Sequence, residues 1–139
     1  MTNPKPLSDR LSVTPQIDPA AMQALADAGY RAIISNRPDG EEPGQPDWAT
    51  IERAARDAGM EACHIPVAPG ALTDDKVAEF GDALHQLPAP IVGFCRTGMR
   101  AASLWALSNP DEQSPETLIA TAAEAGYDLS ALRHRLAKA

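Results

Sequence analysis

The chain has 139 residues, 44% of them apolar, 22% charged and 4% aromatic, which suits one domain around an aliphatic, alanine-rich core. Nineteen acidic against twelve basic residues give a formal charge of −7, which argues against the basic face that nucleic acid or an acidic membrane would need. Two cysteines are few for a secreted disulfide framework. No apolar run reaches membrane-span length, and residues 1–8 lack the apolar stretch of a signal peptide, so the expected location is cytoplasmic.

In chain order, Leu11-Ser12-Val13-Thr14 reads as a first strand. Asp18 then caps a helix that carries Pro19 at its first position and stops at Gly29. A strand follows over 31–34. Residues 36–46 hold three prolines and two glycines and form a loop. A helix is expected over 47–58, ended by Gly59, with Trp48 and Ile51 facing inward. The next strand spans 63–67, and Thr73 caps a helix reaching His85. Residues 91–94 are a fourth strand. Helices follow over 100–108, over 115–125 with Ser114 as cap, and over 130–138. Strands alternating with helices predict an α/β fold, a mainly parallel central sheet flanked by helices. Ligands bind such sheets beyond the carboxyl ends of the strands. The loops at 36–46 and 68–72 and the segment after 94 share that rim. No internal repeat or second domain is visible.

The chemistry concentrates in Cys95-Arg96-Thr97-Gly98-Met99-Arg100. A strand that ends at a thiol and turns through a glycine into a helix sets that thiol over free backbone N–H groups and the positive end of the helix dipole. This is a setting for a reactive thiolate. Gly98 supplies a backbone geometry closed to most residues. The amides from Arg96 to Met99 converge as an anion nest, the Thr97 hydroxyl is available to the thiolate, and the Arg100 guanidinium offers a planar fork for two oxygens. Cys95 and Arg100 are the expected catalytic pair. Arg96, Thr97, Gly98 and Met99 are expected to bind substrate, with Arg37 either joining them at the rim or closing its own turn with Asp39. Cys63 reads as core packing, and so do Trp48 and Trp105. His64 reads as structural. The three histidines lack metal-ligand spacing, and no cofactor is implied.

The loop resembles those of two enzyme groups, the protein tyrosine phosphatases and the rhodanese sulfurtransferases. The phosphatase pattern is Cys-x5-Arg, and Cys95-x4-Arg100 has the shorter rhodanese length. Together with 35–42, Gln45-Pro46 and Ile65-Pro66-Val67, the loop resembles the phosphatase-like domains of beta-lactamase-hydrolase-like proteins. There the domain stands alone or is fused to a metallo-hydrolase or persulfide-oxidising domain. The resemblance covers about residues 7–109, leaving a helical extension over 110–139 within one domain. In it, Ala125-Gly126-Tyr127-Asp128-Leu129 resembles the tail of stand-alone members. The family implies a protein tyrosine phosphatase-like fold carrying a rhodanese-length loop.

Two reactions compete. A phosphatase acting on phosphomonoesters needs an acid for the departing oxygen, and in phosphatases that acid lies on the loop that here reads Val67-Ala68-Pro69-Gly70-Ala71-Leu72. It contains no carboxylate. Asp74 and Asp75 follow, more naturally as first-turn helix charge than as acids. Asp39, Glu41 and Glu42 are either acids or braces for a loop arginine. Sulfur transfer needs no strong acid, because sulfite or a thiolate leaves unaided. The expectation is therefore a thiol sulfurtransferase forming a Cys95 persulfide, with phosphomonoester hydrolysis as the alternative and a weakly catalytic anion-binding module as the third reading. The substrate is a small sulfur or phosphate anion, with a thiol as acceptor. The sequence does not address oligomeric state.

Overall fold

Five short strands form one sheet in the order β1-β2-β5-β3-β4. The computed structural model describes residues 3–138, so residues 1, 2 and 139 of the expected domain lie outside the described residues. The elements are β1 (Lys5–Pro6), β2 (Leu11–Thr14), α1 (Met22–Asp27), β3 (Ala32–Ser35), α2 (Trp48–Asp57), β4 (Glu61–His64) and α3 (Asp74–Gln86). Then come β5 (Ile91–Phe94), α4 (Met99–Ser108), α5 (Pro115–Glu124) and α6 (Arg133–Leu136). Strands β2, β5, β3 and β4 run parallel, and β1, unforeseen from the sequence, pairs antiparallel with β2.

Alternation along the strands sends successive side chains to opposite faces. Leu11, Val13, Ala32, Ile34 and Ile91 pack with Phe80, Leu104, Trp105 and Leu118 of α3, α4 and α5. Ile33, Val92 and Phe94 pack on the other face with Met22, Leu25, Ile51 and Ala55 of α1 and α2. The result is a three-layer α/β sandwich. The chain lays down β2, β3 and β4 before returning to insert β5 between β2 and β3. Cys95 therefore follows the innermost strand at a point where strand order reverses, the usual place for a ligand in such sheets.

Local details depart from expectation for identifiable reasons. The strand expected at 63–67 lies at Glu61–His64. Hydrogen bonding to β3 continues past that end, from Ile65 N to Ser35 O and from Val67 N to Asn36 O, with Pro66 at the open edge where no donor is needed. The segment from Asp18 begins as a 3-10 turn, Pro19–Ala21, with the Asp18 carboxylate accepting from Ala20 N at 2.8 Å. Thr73 precedes α3 but makes no side-chain cap bond, whereas Asp47 and Ser114 accept from Thr50 N and Thr117 N. The last helix is broken into a 3-10 turn, Ser130–Leu132, and α6. Within the described residues no helix is long and apolar enough to cross a membrane.

Candidate active site

Strand β5 delivers Cys95, and the chain then turns through Arg96 and Thr97 to Gly98 before entering α4. Gly98 has φ +97°, a left-handed value that disfavours any side chain. Its N–H points back and donates to Cys95 Sγ at 3.1 Å. The thiol is 1% exposed and sits over the amino end of α4, where first-turn N–H groups have no helical partner. Among the described residues the amides of Arg96 and Thr97 also meet no protein acceptor. Of the four amides expected to converge on an anion, Gly98 N is spent on the sulfur and Met99 N on the Thr97 hydroxyl, which leaves those of Arg96 and Thr97. The Thr97 hydroxyl accepts from Met99 N at 3.2 Å, and the hydrogen bond to the sulfur comes from Gly98 N.

Arg100 is fixed from two sides. Its Nη1 and Nη2 donate to Glu41 Oε2 and Oε1 at 2.6 and 2.9 Å, and Nη1 also donates to Val67 O at 2.9 Å. Glu41 thus settles as the brace of the loop arginine. The Arg100 hydrogen bonds and those from Arg37 hold its carboxyl below the ordinary 4.5 against the opposing effect of burial. Glu41 in turn holds Arg100 above its usual value.

Arg37 departs from the expected substrate-binding role. Its side chain is 2% exposed and spends its donors on protein: Nε to Glu41 Oε1 at 2.9 Å, Nη2 to Glu42 Oε1 at 2.8 Å and Nη1 to Gln16 Oε1 at 3.0 Å. It is a buried strut under the rim. Asp39 neither pairs with it nor faces the thiol as an acid; it accepts from Trp48 N at 2.8 Å and helps start α2. Asp74 is fully exposed and meets Arg135 at 3.3 Å, lining a different depression from the one beside the cysteine loop. Its position in the first turn of α3 turns it away from that loop.

Three supports were not visible in the sequence. Gln16 N donates to Arg96 O at 3.2 Å, tying the loop to the exit of β2. Asn36, wholly buried, donates from Nδ2 to Ile65 O and from its amide to Phe94 O, joining three strand ends beneath the thiol. Tyr127, thirty residues downstream, donates its hydroxyl to Thr97 O at 3.1 Å. A Cβ on Gly98 would collide with the Tyr127 hydroxyl and lie 2.7 Å from Cζ. Burial, and then the Cys95 charge, push the Tyr127 phenol above its ordinary value.

The remaining candidates are structural. His64 stacks on Trp48 with ring centroids 4.8 Å apart, and its Nε2 donates to Arg37 O at 2.9 Å. Burial raises the Cys63 thiol. Cys63 pairs with Ile34, which pairs with Gly93. Two strand spacings and two residues of rise set Cys63 roughly 12 Å from Cys95, beyond disulfide reach.

Comparison with known proteins decides the family. The family model for the beta-lactamase hydrolase-like protein, phosphatase-like domain, matches residues 5–112. The chain belongs to this family. Beta-lactamase hydrolase-like proteins of Agrobacterium fabrum and Xylella fastidiosa are each 35% identical over 101 and 102 residues, 73% of this chain. The chain spans only about a quarter of their length, 23% and 24%. A Neisseria meningitidis structure named "putative phosphatase" is 32% identical, covers 96% of this chain and 95% of its own, and has a TM-score of 0.86. The structure of PTPMT1 covers 95% and 90%, with 16% identity and a TM-score of 0.72, a likeness of fold. The fold of this phosphatase-like domain is that of the protein tyrosine phosphatases.

Proposed function

We propose that this phosphatase-like domain transfers sulfane sulfur through Cys95. The Cys95 thiolate attacks the outer sulfur of a donor such as thiosulfate. The new S–S bond forms as the old one breaks, and sulfite leaves with the electron pair. The resulting persulfide is cradled by the loop amides beside Arg100. An acceptor thiolate then takes the outer sulfur and returns Cys95 as thiolate.

One observation carries this reading: each carboxylate beside the loop is already engaged as an acceptor by a protein donor. Glu41, Glu42 and Asp128 line the adjoining cavity, and each carboxyl is held below its ordinary value. Arg100 does this for Glu41, Arg37 for Glu42 and the Ser130 hydroxyl for Asp128. An alkoxide leaving a phosphate ester needs an acid; sulfite leaving a sulfur does not.

The comparisons support a second reading better, phosphomonoester hydrolysis through a Cys95 phosphocysteine. It rests on the family's phosphatase-like designation and the name of the Neisseria protein. On that reading aryl phosphates, with their less basic leaving groups, should be preferred to alkyl ones.

Thiosulfate treatment followed by intact-protein mass measurement separates the two. Sulfur transfer requires a gain of one sulfur atom on Cys95, reversed by cyanide and absent in Cys95→Ser. Cys95-dependent phosphate release from an aryl phosphate, with no persulfide and no thiocyanate, would replace the first reading by the second.

A further inference from the structure

A cavity of about 740 Å3 adjoins the cysteine loop. Arg96, Thr97 and Arg100 of that loop line it. Its apolar lining includes Leu72, Met99 and Leu132. Met99 is 38% exposed and is the one large apolar side chain exposed among the described residues. It stands between Gly98 and Arg100, so apolar surface begins at the loop itself. Exposed apolar surface in a concavity marks a place where a ligand removes it from water.

Each carboxylate of the lining is already engaged by a protein donor, which leaves the exposed Arg96 as its least committed charge. The Arg96 side chain is 62% exposed and has one carboxylate nearby, Glu42 at 3.5 Å, itself held closer by Arg37 at 2.8 Å. Glu41 is shared between Arg37 and Arg100, and Asp128 turns to Ser130 N and Oγ. Leu132 belongs to the helical extension, beyond the 5–112 matched by the family model. That extension therefore walls the site on the side away from the sheet.

We propose that this cavity seats an amphiphilic anion, with its charged group on the Cys95 loop and a hydrocarbon body against Leu72, Met99 and Leu132. The inference rests on the loop being an anion seat, which sulfur transfer and phosphoryl transfer share. It assigns the substrate class as an organic anion with an apolar chain, such as an alkyl thiosulfonate or an alkyl phosphate, in place of a bare inorganic ion.

Linear alkylsulfonates from methane- to octanesulfonate test this on the full chain, because they carry the head and tail but neither donate sulfur nor release phosphate. Calorimetric Kd should fall about fourfold per methylene over the first several carbons. Protection of Cys95 from iodoacetamide, read by peptide mass mapping, should follow the same order. Met99→Gln, at an exposed position, and Leu132→Gln should each flatten the series. A Kd independent of chain length overturns the proposal, as does absence of binding, or tight binding that leaves Cys95 unprotected. Failure of the thiosulfate assay would leave a graded series standing, and a flat series would leave sulfur transfer standing.

Discussion

Glu41→Gln is the most revealing perturbation of the frame around Cys95. It keeps the shape of the side chain and removes the charge that joins Arg37 to Arg100. Three contacts depend on that carboxylate, at 2.6, 2.9 and 2.9 Å, between side chains 2%, 13% and 16% exposed. Arg37 retains Glu42 and Gln16, and Arg100 retains Val67 O, so neither cation is wholly stranded. The cost is then below that of a broken isolated buried pair, about 2–3 kcal/mol. For a domain of this size that is roughly 6–12 °C in Tm. Because the folded Glu41 carboxyl is depressed below 4.5, its contribution is full above the unfolded value. It is lost as pH falls through the folded one. Calorimetry should therefore find a constant gap between wild type and variant from about pH 8 to pH 5, closing in more acid solution. A gap under about 0.5 kcal/mol at neutral pH, or one unchanged by acid while the fold persists, would refute the bridging role.

Other expectations follow from the same contacts. Gly98→Ala meets both a left-handed φ and the Tyr127 ring. It should abolish Cys95-dependent turnover and destabilise by more than about 2 kcal/mol by denaturant titration, while in a Tyr127→Ala background the penalty should shrink to the backbone strain of about 1–2 kcal/mol. Tyr127→Phe removes the hydroxyl from Thr97 O; turnover should fall several-fold and the pH profile of Cys95 alkylation should move, at a stability cost near 1 kcal/mol. Asp74→Asn should leave turnover and its pH profile unchanged within error, since that carboxylate is exposed and, among the described residues, pairs only with Arg135; loss of the basic limb of the profile would restore it as a proton donor.

The strands and the cysteine loop were legible because their signals are local. Apolar alternation and glycine stops give the βα order, and Cys95, Gly98 and Arg100 lie within six residues of one another. The rim was legible only as a location. Whether Arg37 faces substrate or Glu41 depends on side chains meeting across the end of the sheet, and Glu41 and Arg100 are 59 residues apart in the chain. Nothing in a linear spacing separates a buried strut from an anion ligand. Tyr127 was hidden for a similar reason. The hints were the resemblance of residues 125–129 to the tail of stand-alone family members and an aromatic, in a chain with only two tyrosines, directly after a glycine. The shift of β4 reflects a register that sequence leaves open. Residues 63–67 are suitably apolar, but the paired register begins two residues earlier, at Glu61, whose exposed side chain gives no apolar signal.

The hydroxyl from Tyr127 to Thr97 also has a bearing on how the protein is made. Chains emerge from the ribosome amino end first, and domains tend to fold as they appear. The sheet, α4 and the sulfur-bearing turn can all assemble before residue 127 is available. During that interval Gly98 has open space where the phenol later stands, and the turn has one anchor fewer. In chain order the anchor of the sulfur-bearing turn thus comes after every part of the turn that it steadies.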